Sequence, residues 1–214
     1  MIRALFFDLD GTLVDSETPE FESYRSLYAR YGLELPLAEW ARGIGTVDGY
    51  RPIERLEELL GAPIDRRAAA AVVGDRYRDL ADPAFRPGVS EVLAEADGLG
   101  LVRAVVSSSH REWVEGSLRR AGDGDGWAGI WCGDGEGIPP KPDPALYLLA
   151  LRQLDVAAEE ALVFEDSPNG IAAARAAGIR CVAVSNPVTA RLDLSGADRV
   201  FDSFAQVRLA ELVR

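Results

Sequence analysis

Asp8 and Asp10 stand two residues apart at the end of a short apolar run, in Phe7-Asp8-Leu9-Asp10-Gly11-Thr12. In an extended chain, residues two apart project to the same side, so the two carboxylates share one small space. Like charges that close resist ionisation unless a cation relieves them or the pair divides its labour. A hard cation such as Mg²⁺ suits the place, because it takes oxygen ligands and keeps positions for phosphate oxygens. A plain turn closing a strand is the other reading of D-x-D-G. Three further groups stand in comparable places. Ser107, Ser108 and Ser109 follow a second apolar run. Hydroxyls and main-chain N–H groups at a helix start can hold a phosphate, or simply cap the helix, which is the role expected of Ser109. Lys141, in Lys141-Pro142-Asp143-Pro144, has Arg152 as its nearest cationic neighbour along the chain. It reads either as a charge serving a site or as an exposed loop lysine. Glu165 and Asp166 are consecutive acids after a third apolar run, with Ser167 and Pro168 reading as a helix start.

The runs that must position these groups are short and apolar. Residues 2–7, 101–106, 161–164 and 181–184 read as buried strands, and 129–132 as a weaker one. Helices are predicted between them. Residues 110–120 follow a Ser109/Glu112 capping box, residues 144–154 start from Asp143 and Pro144, and residues 168–177 start from Ser167 and stop at Gly178. Apolar strands alternating with capped helices imply an α/β fold, a mostly parallel sheet covered on both faces. In such sheets ligands bind beyond the carboxyl ends of the strands, where these polar clusters lie. Residues 16–82 break the alternation. Phe21, Tyr24, Leu27, Tyr28 and Tyr31, and then Ile53, Leu56, Leu59 and Leu60, follow helical spacing, which predicts an insert of about four helices. Asp15-Ser16 and residues 82–88 are the expected linkers.

The chain has 214 residues, 48% of them hydrophobic, enough for a large core. Its net charge of −12 argues against a nucleic-acid partner and against docking on an anionic membrane. A phosphate ester would need local positive charge from Lys, main-chain N–H groups or a metal. Cys132 and Cys181 are the only cysteines, so a zinc cluster is not expected. The apolar stretch at residues 1–7 is too short for a signal peptide or a membrane span, and a reducing cytoplasm is the expected location.

The run Phe7-Asp8-Leu9-Asp10-Gly11-Thr12-Leu13-Val14-Asp15-Ser16 closely resembles the first signature of the haloacid dehalogenase-like (HAD) superfamily. Ser107 stands where the second signature places a Ser or Thr, Lys141-Pro142-Asp143-Pro144 matches the K-P-x-P form of the third, and Glu165-Asp166-Ser167-Pro168-Asn169-Gly170 resembles the fourth. The resemblance implies a Rossmann-like core of residues 1–15 and 83–214, with residues 16–82 as a helical cap inserted after the first strand. It implies Asp8 as nucleophile, forming an aspartyl phosphate, and Asp10 as acid and then base. Lys141 would bridge Asp8 and the phosphoryl group, with Ser107 and Ser108 holding phosphate. Mg²⁺ would be bound by Asp8, Asp166 and the main-chain carbonyl of Asp10, with Glu165 ligating directly or through water.

Within the superfamily the pattern is similar to β-phosphoglucomutase-like proteins and related phosphatases. Gly43-Ile44-Gly45-Thr46 resembles the cap loop facing the catalytic centre, or is an ordinary turn. Two departures favour hydrolysis over a phosphosugar mutase. Glu20 stands where mutases usually carry His, and Thr46-Val47-Asp48 replace the Arg that would grip a second phosphate, Arg51 being the nearest candidate. The absence of Lys from residues 16–82 argues against a phosphonatase, and Asp10 with Asp166 against a dehalogenase. The expected substrate is a small phosphorylated metabolite, and the expected state a monomer or weak dimer. His110, the only histidine, is expected at an exposed first turn, and Trp40, Trp113, Trp127 and Trp131 are expected to pack.

Overall fold

Ala4–Phe7 (β1) is a run of four fully buried side chains, as a strand covered on both faces requires. In the computed structural model, which describes residues 1–44, 50–82, 84–134 and 137–213, it lies in the middle of a parallel sheet. The other strands are Val102–Val106 (β2), Gly129–Trp131 (β3), Ala161–Glu165 (β4), Arg180–Val184 (β5) and Arg199–Phe201 (β6). Their order is β3-β2-β1-β4-β5-β6. The order in which successive strands are added reverses between β1 and β4, all strands remaining parallel, and this is the position at which such sheets open a crevice for ligands. Phe7 is in register with Val105 on one side and Phe164 on the other. The segments following β1 and β2 and the end of β4 therefore emerge side by side.

The period of two along β1 decides which layer each side chain joins. Leu5 and Phe7 enter a core with residues of Val89–Gly98 (α5) and Arg111–Arg120 (α6), whereas Ala4 and Phe6 enter one with Ala145–Leu154 (α7) and Pro168–Ala176 (α8). Ring contacts run through the first layer, with Phe7 stacked on Phe164 at 5.0 Å and Phe164 tilted on Phe204 at 5.5 Å. Residues between β1 and α5 form Glu17–Arg30 (α1), Leu37–Trp40 (α2), Pro52–Leu60 (α3) and Arg66–Leu80 (α4). A third apolar cluster joins these helices through Phe21, Leu27, Tyr28, Trp40, Leu56 and Ala69, and Val188 from the loop after β5 packs into it.

Local capping departs from expectation at two helices. No side chain caps α6, whose N-cap is His110, so the Ser109/Glu112 box does not form. Helix α7 begins one residue late, with Pro144 as N-cap, while Asp143 accepts from Ala145 N at 2.9 Å. Helix α8 starts as expected, with Ser167 Oγ accepting from Gly170 N at 3.0 Å and Pro168 in the first turn. Helix α5 and strand β6 were not foreseen. The three-residue β6, at the sheet edge with Val200 half exposed, has too little apolar pattern to be read from the chain.

Leu56 has no exposed surface and packs within the third cluster. Leu56→Ala is expected to destabilise the protein by about 2–5 kcal/mol, read as a fall in the urea midpoint. An unchanged midpoint would show that this cluster does not share in global stability.

Candidate active site

Three strand ends and one loop build the site. Asp8 follows β1, Ser107 follows β2, Glu165 ends β4, and Lys141 precedes α7. Lys141 is almost completely buried, at 1% exposure, and is the only lysine in the chain. Its Nζ donates to Asp8 Oδ1 at 2.6 Å, to Glu165 Oε1 at 2.6 Å and to Val106 O at 2.7 Å. An ammonium has three N–H donors in a compact tetrahedral head, and all three are used. The opposite charges beside it raise the Lys141 pKa against its burial, so it is fully cationic.

Glu165 is fully buried and spends both oxygens on the protein. Oε1 accepts from Lys141 and from Tyr147 Oη at 3.0 Å, and Oε2 accepts from Asp166 N at 3.1 Å and Ser167 Oγ at 3.3 Å. A Cβ on residue 170 would run into the Glu165 carboxylate, so the close start of α8 requires Gly170.

Asp8, Glu165 and Asp166 each present an oxygen within 4.8 Å of the others. Burial, with repulsion from Glu165 and Asp10, pushes the Asp8 carboxyl up to about 7 against the pull of Lys141. Burial and the charges of Asp8 and Glu165 raise Asp166 well above the ordinary carboxylate range. Asp166 accepts from Thr12 Oγ1 at 3.2 Å and from Asn186 Nδ2 at 2.7 Å, both neutral donors. Gly11 has φ +76°, and a Cβ there would run into Asp166 and lie 2.8 Å from Asn186 Nδ2. Crowded carboxylates that outnumber their buried cation, with only oxygen donors around them, are a donor set that fits Mg²⁺. Asp8 and Asp166 would hold the ion. Glu165, with both oxygens engaged, fits the holding of Lys141 better than direct ligation. The Asp10 carboxylate is not part of this group.

Asp8 and Asp10 open into one cleft of about 680 Å³, which Ser107, Ser108, Ser109 and His110 also line. Ser107 Oγ accepts from Ser109 N at 3.0 Å, and Ser108 Oγ from Lys141 N at 3.2 Å. Ser109 is not a cap. Its hydroxyl donates to Asp10 Oδ2 at 2.6 Å. Asp10 Oδ1 accepts from Ser16 Oγ at 2.8 Å and from the Trp113 indole at 2.8 Å. Trp113 packs against the first core layer, as expected, and its indole also reaches this carboxylate, which was not expected. Nothing in the chain before folding marks this contact, because the two residues are brought together only by the sheet. His110 is exposed, as expected, but at the cleft rim.

The opposite wall comes from the helical insert, through Glu17, Glu20, Tyr24, Trp40, Ile44 and Tyr77 among others. Glu20, though partly in solvent, is pushed up to about 7 by the surrounding protein and by Asp10. Asn169, at the start of α8, donates to Ile44 O at 2.7 Å and so ties the insert to the sheet end. Arg51 does not line the cleft among the described residues. Of the loop at 43–46, Gly43 and Ile44 line the cleft, while Gly45 and Thr46, with Val47 and Asp48, lie outside the described residues. The linker at 82–88 does more than connect, although Pro83 also lies outside the described residues. Arg86 donates to Gly11 O at 2.5 Å, to Val184 O at 3.1 Å and to Ser185 O, pinning the Asp10–Gly11 turn to the end of β5.

Comparison with known proteins agrees with this geometry. The family model for haloacid dehalogenase-like hydrolases matches residues 2–178. The chain is 40% identical to "Putative phosphatase YhcW" of Bacillus subtilis (strain 168), over 100% of this chain and 97% of that protein. CbbY from Rhodobacter sphaeroides, solved in complex with phosphate, superposes with a TM-score of 0.70 at 33% identity, over 96% of each chain. A structure described as "putative beta-phosphoglucomutase" from Thermotoga maritima superposes with a TM-score of 0.71 at 27% identity, over 99% of this chain and 97% of that one. With its sheet order, its carboxylate group and the buried Lys141 between Asp8 and Glu165, the chain belongs to the haloacid dehalogenase-like hydrolases.

Proposed function

We propose that this protein is a Mg²⁺-dependent phosphatase that hydrolyses a small phosphorylated metabolite through an aspartyl phosphate on Asp8. The carrying observation is that Asp8, paired with Lys141 at 2.6 Å, and Asp10, held only by neutral donors, open into one cleft. Asp8 attacks phosphorus as the bond to the leaving oxygen breaks, and Asp10 gives that oxygen a proton. Asp10, now ionised, takes a proton from the water that attacks the aspartyl phosphate. Lys141 favours the ionised form of Asp8 against its burial and offsets its repulsion from an incoming phosphoryl group. In this reading the hydroxyls of Ser107 and Ser108, which line the cleft, hold the phosphate oxygens. When bound at Asp8 and Asp166, with the Asp10 carbonyl, Mg²⁺ supplies charge that relieves the crowded carboxylates and polarises the phosphoryl oxygens.

In this reading residues 16–82 act as the cap over a catalytic domain of residues 1–15 and 83–214, and exclude water from the cleft. Two acids of the insert, Glu17 and Glu20, line the cleft and offer no cationic grip for a second phosphate, which favours hydrolysis over a phosphosugar mutase. The bound phosphate in the CbbY structure supports a phosphate ester as substrate. The two cysteines are buried and free, which suits a reducing cytoplasm.

Mg²⁺-dependent release of phosphate from p-nitrophenyl phosphate tests the reading. Asp8→Asn is expected to lower kcat by about a thousandfold or more, since it removes the nucleophile while keeping its shape. Retained activity would refute the role of Asp8, and conversion of β-glucose 1-phosphate to the 6-phosphate would refute the choice of hydrolysis.

The carboxylate group also predicts a pH dependence. Asp8 binds its proton more tightly folded, at about 7, than unfolded, at 3.8, and Asp166 shifts in the same direction. The stability these protons confer is full below about pH 4 and is lost as pH rises through about 7 in the metal-free protein. Mg²⁺ offsets that loss, so millimolar MgCl₂ is expected to raise Tm more at about pH 8 than at about pH 5. An equal rise at both, measured by thermal melting, would place the ion elsewhere.

A further inference from the structure

Asp10 accepts three hydrogen bonds, and one donor differs in kind from the others. Ser16 and Ser109 are hydroxyls, which can turn to donate or accept. The Trp113 indole N–H can only donate. Its 2.8 Å contact with Oδ1 is therefore satisfied only while Oδ1 is the accepting oxygen. The proton of a protonated Asp10 then belongs on Oδ2, where the Ser109 hydroxyl at 2.6 Å can rotate to accept it.

The indole is itself fixed. Tyr77 of α4 lies against it with ring centroids 6.4 Å apart, and the Arg120 guanidinium lies 5.3 Å from its ring centroid on the same helix, α6. Trp113 and Tyr77 both line the cleft, so the helical insert braces the group that orients Asp10.

We propose that Trp113 is a positioning residue for Asp10: its N–H holds Oδ1 as acceptor and presents Oδ2 as the oxygen that exchanges a proton with the substrate. This rests on the phosphatase reading above. In the step concerned, the Oδ2–H bond breaks and the O–H bond of the leaving alcohol forms, while phosphorus exchanges its bond to that oxygen for one to Asp8. The orientation is worth most where the leaving group needs the proton most. An alkoxide is a poor leaving group, whereas p-nitrophenolate leaves nearly unaided.

Trp113→Phe removes the N–H and keeps most of the packing. On a simple alkyl phosphate, kcat/KM is expected to fall by about tenfold or more, while on p-nitrophenyl phosphate it falls by less than about threefold. KM for the alkyl phosphate should change little. The same exchange at Trp127, whose indole donates to Asp123 O at 2.9 Å, should leave both values unchanged. Equal losses on the two substrates in Trp113→Phe would overturn the proposal, because general loosening of the site does not select by leaving group. A second readout is independent of turnover. In ¹⁵N-labelled protein the Trp113 indole signal, identified by its loss in Trp113→Phe, should move in Asp10→Asn while the Trp127 signal stays in place. A stationary Trp113 signal would refute the contact. A wild-type protein with no phosphatase activity on either substrate would refute the phosphatase reading, and the catalytic role of Trp113 with it. An active enzyme lacking the leaving-group selectivity would refute the Trp113 role alone.

Discussion

A single ammonium, on Lys141, lies buried between two carboxylates with each of its three hydrogens committed. Burying one charge costs several kcal/mol unless partners with good geometry replace its water. Here the partners come from three separate places: the end of β1, the end of β2 and the end of β4. The order β2-β1-β4 sets those ends next to one another, and the loop before α7 delivers the lysine to them. The remaining 22 of the 23 basic residues are arginines, whose planar fork does not match a tetrahedral arrangement of Asp8, Glu165 and the Val106 carbonyl.

The same crowding leaves an imbalance that the site turns to use. Lys141 attends to Asp8 and Glu165, but Asp166 receives only neutral side-chain donors, from Thr12 and Asn186. Negative charge in excess of its buried partner makes the place receptive to a divalent ion and repels a bare anion. Glu165 and Asp166 are adjacent in the chain yet serve different ends. The first turns inward to Lys141, Tyr147 and the start of α8, and the second turns to the Gly11 turn. Arg86 and Asn186 grip the main chain of that turn from outside, Asn186 Nδ2 also donating to Gly11 O at 3.1 Å. The loop carrying Asp8 and Asp10 is thus held from several directions before any ligand arrives, which is the preorganisation that electrostatic catalysis needs.

Around this rigid base the helical insert contributes a wall of different chemistry, aromatic and acidic. Among the described residues its contacts with the base include Asn169 to Ile44, Ser16 to Asp10 and Tyr77 to Trp113.

Much of this was legible in the chain. Asp8, Asp10, Lys141, Glu165 and Asp166 each follow an apolar run or precede a helix, and local pattern suffices to place such residues at element ends. The strand runs and the helical spacing of residues 16–82 were readable because burial imposes periods of about 2 and 3.6 on single segments. Contacts between segments leave no such mark. That Ser109 bonds to Asp10 rather than capping α6, that Trp113 reaches Asp10, that Glu165 holds Lys141, and that Arg86 and Asn186 clasp the Gly11 turn were decided by tertiary structure alone. Each joins residues from separate elements, and only the closing of the parallel sheet brings them within hydrogen-bond distance.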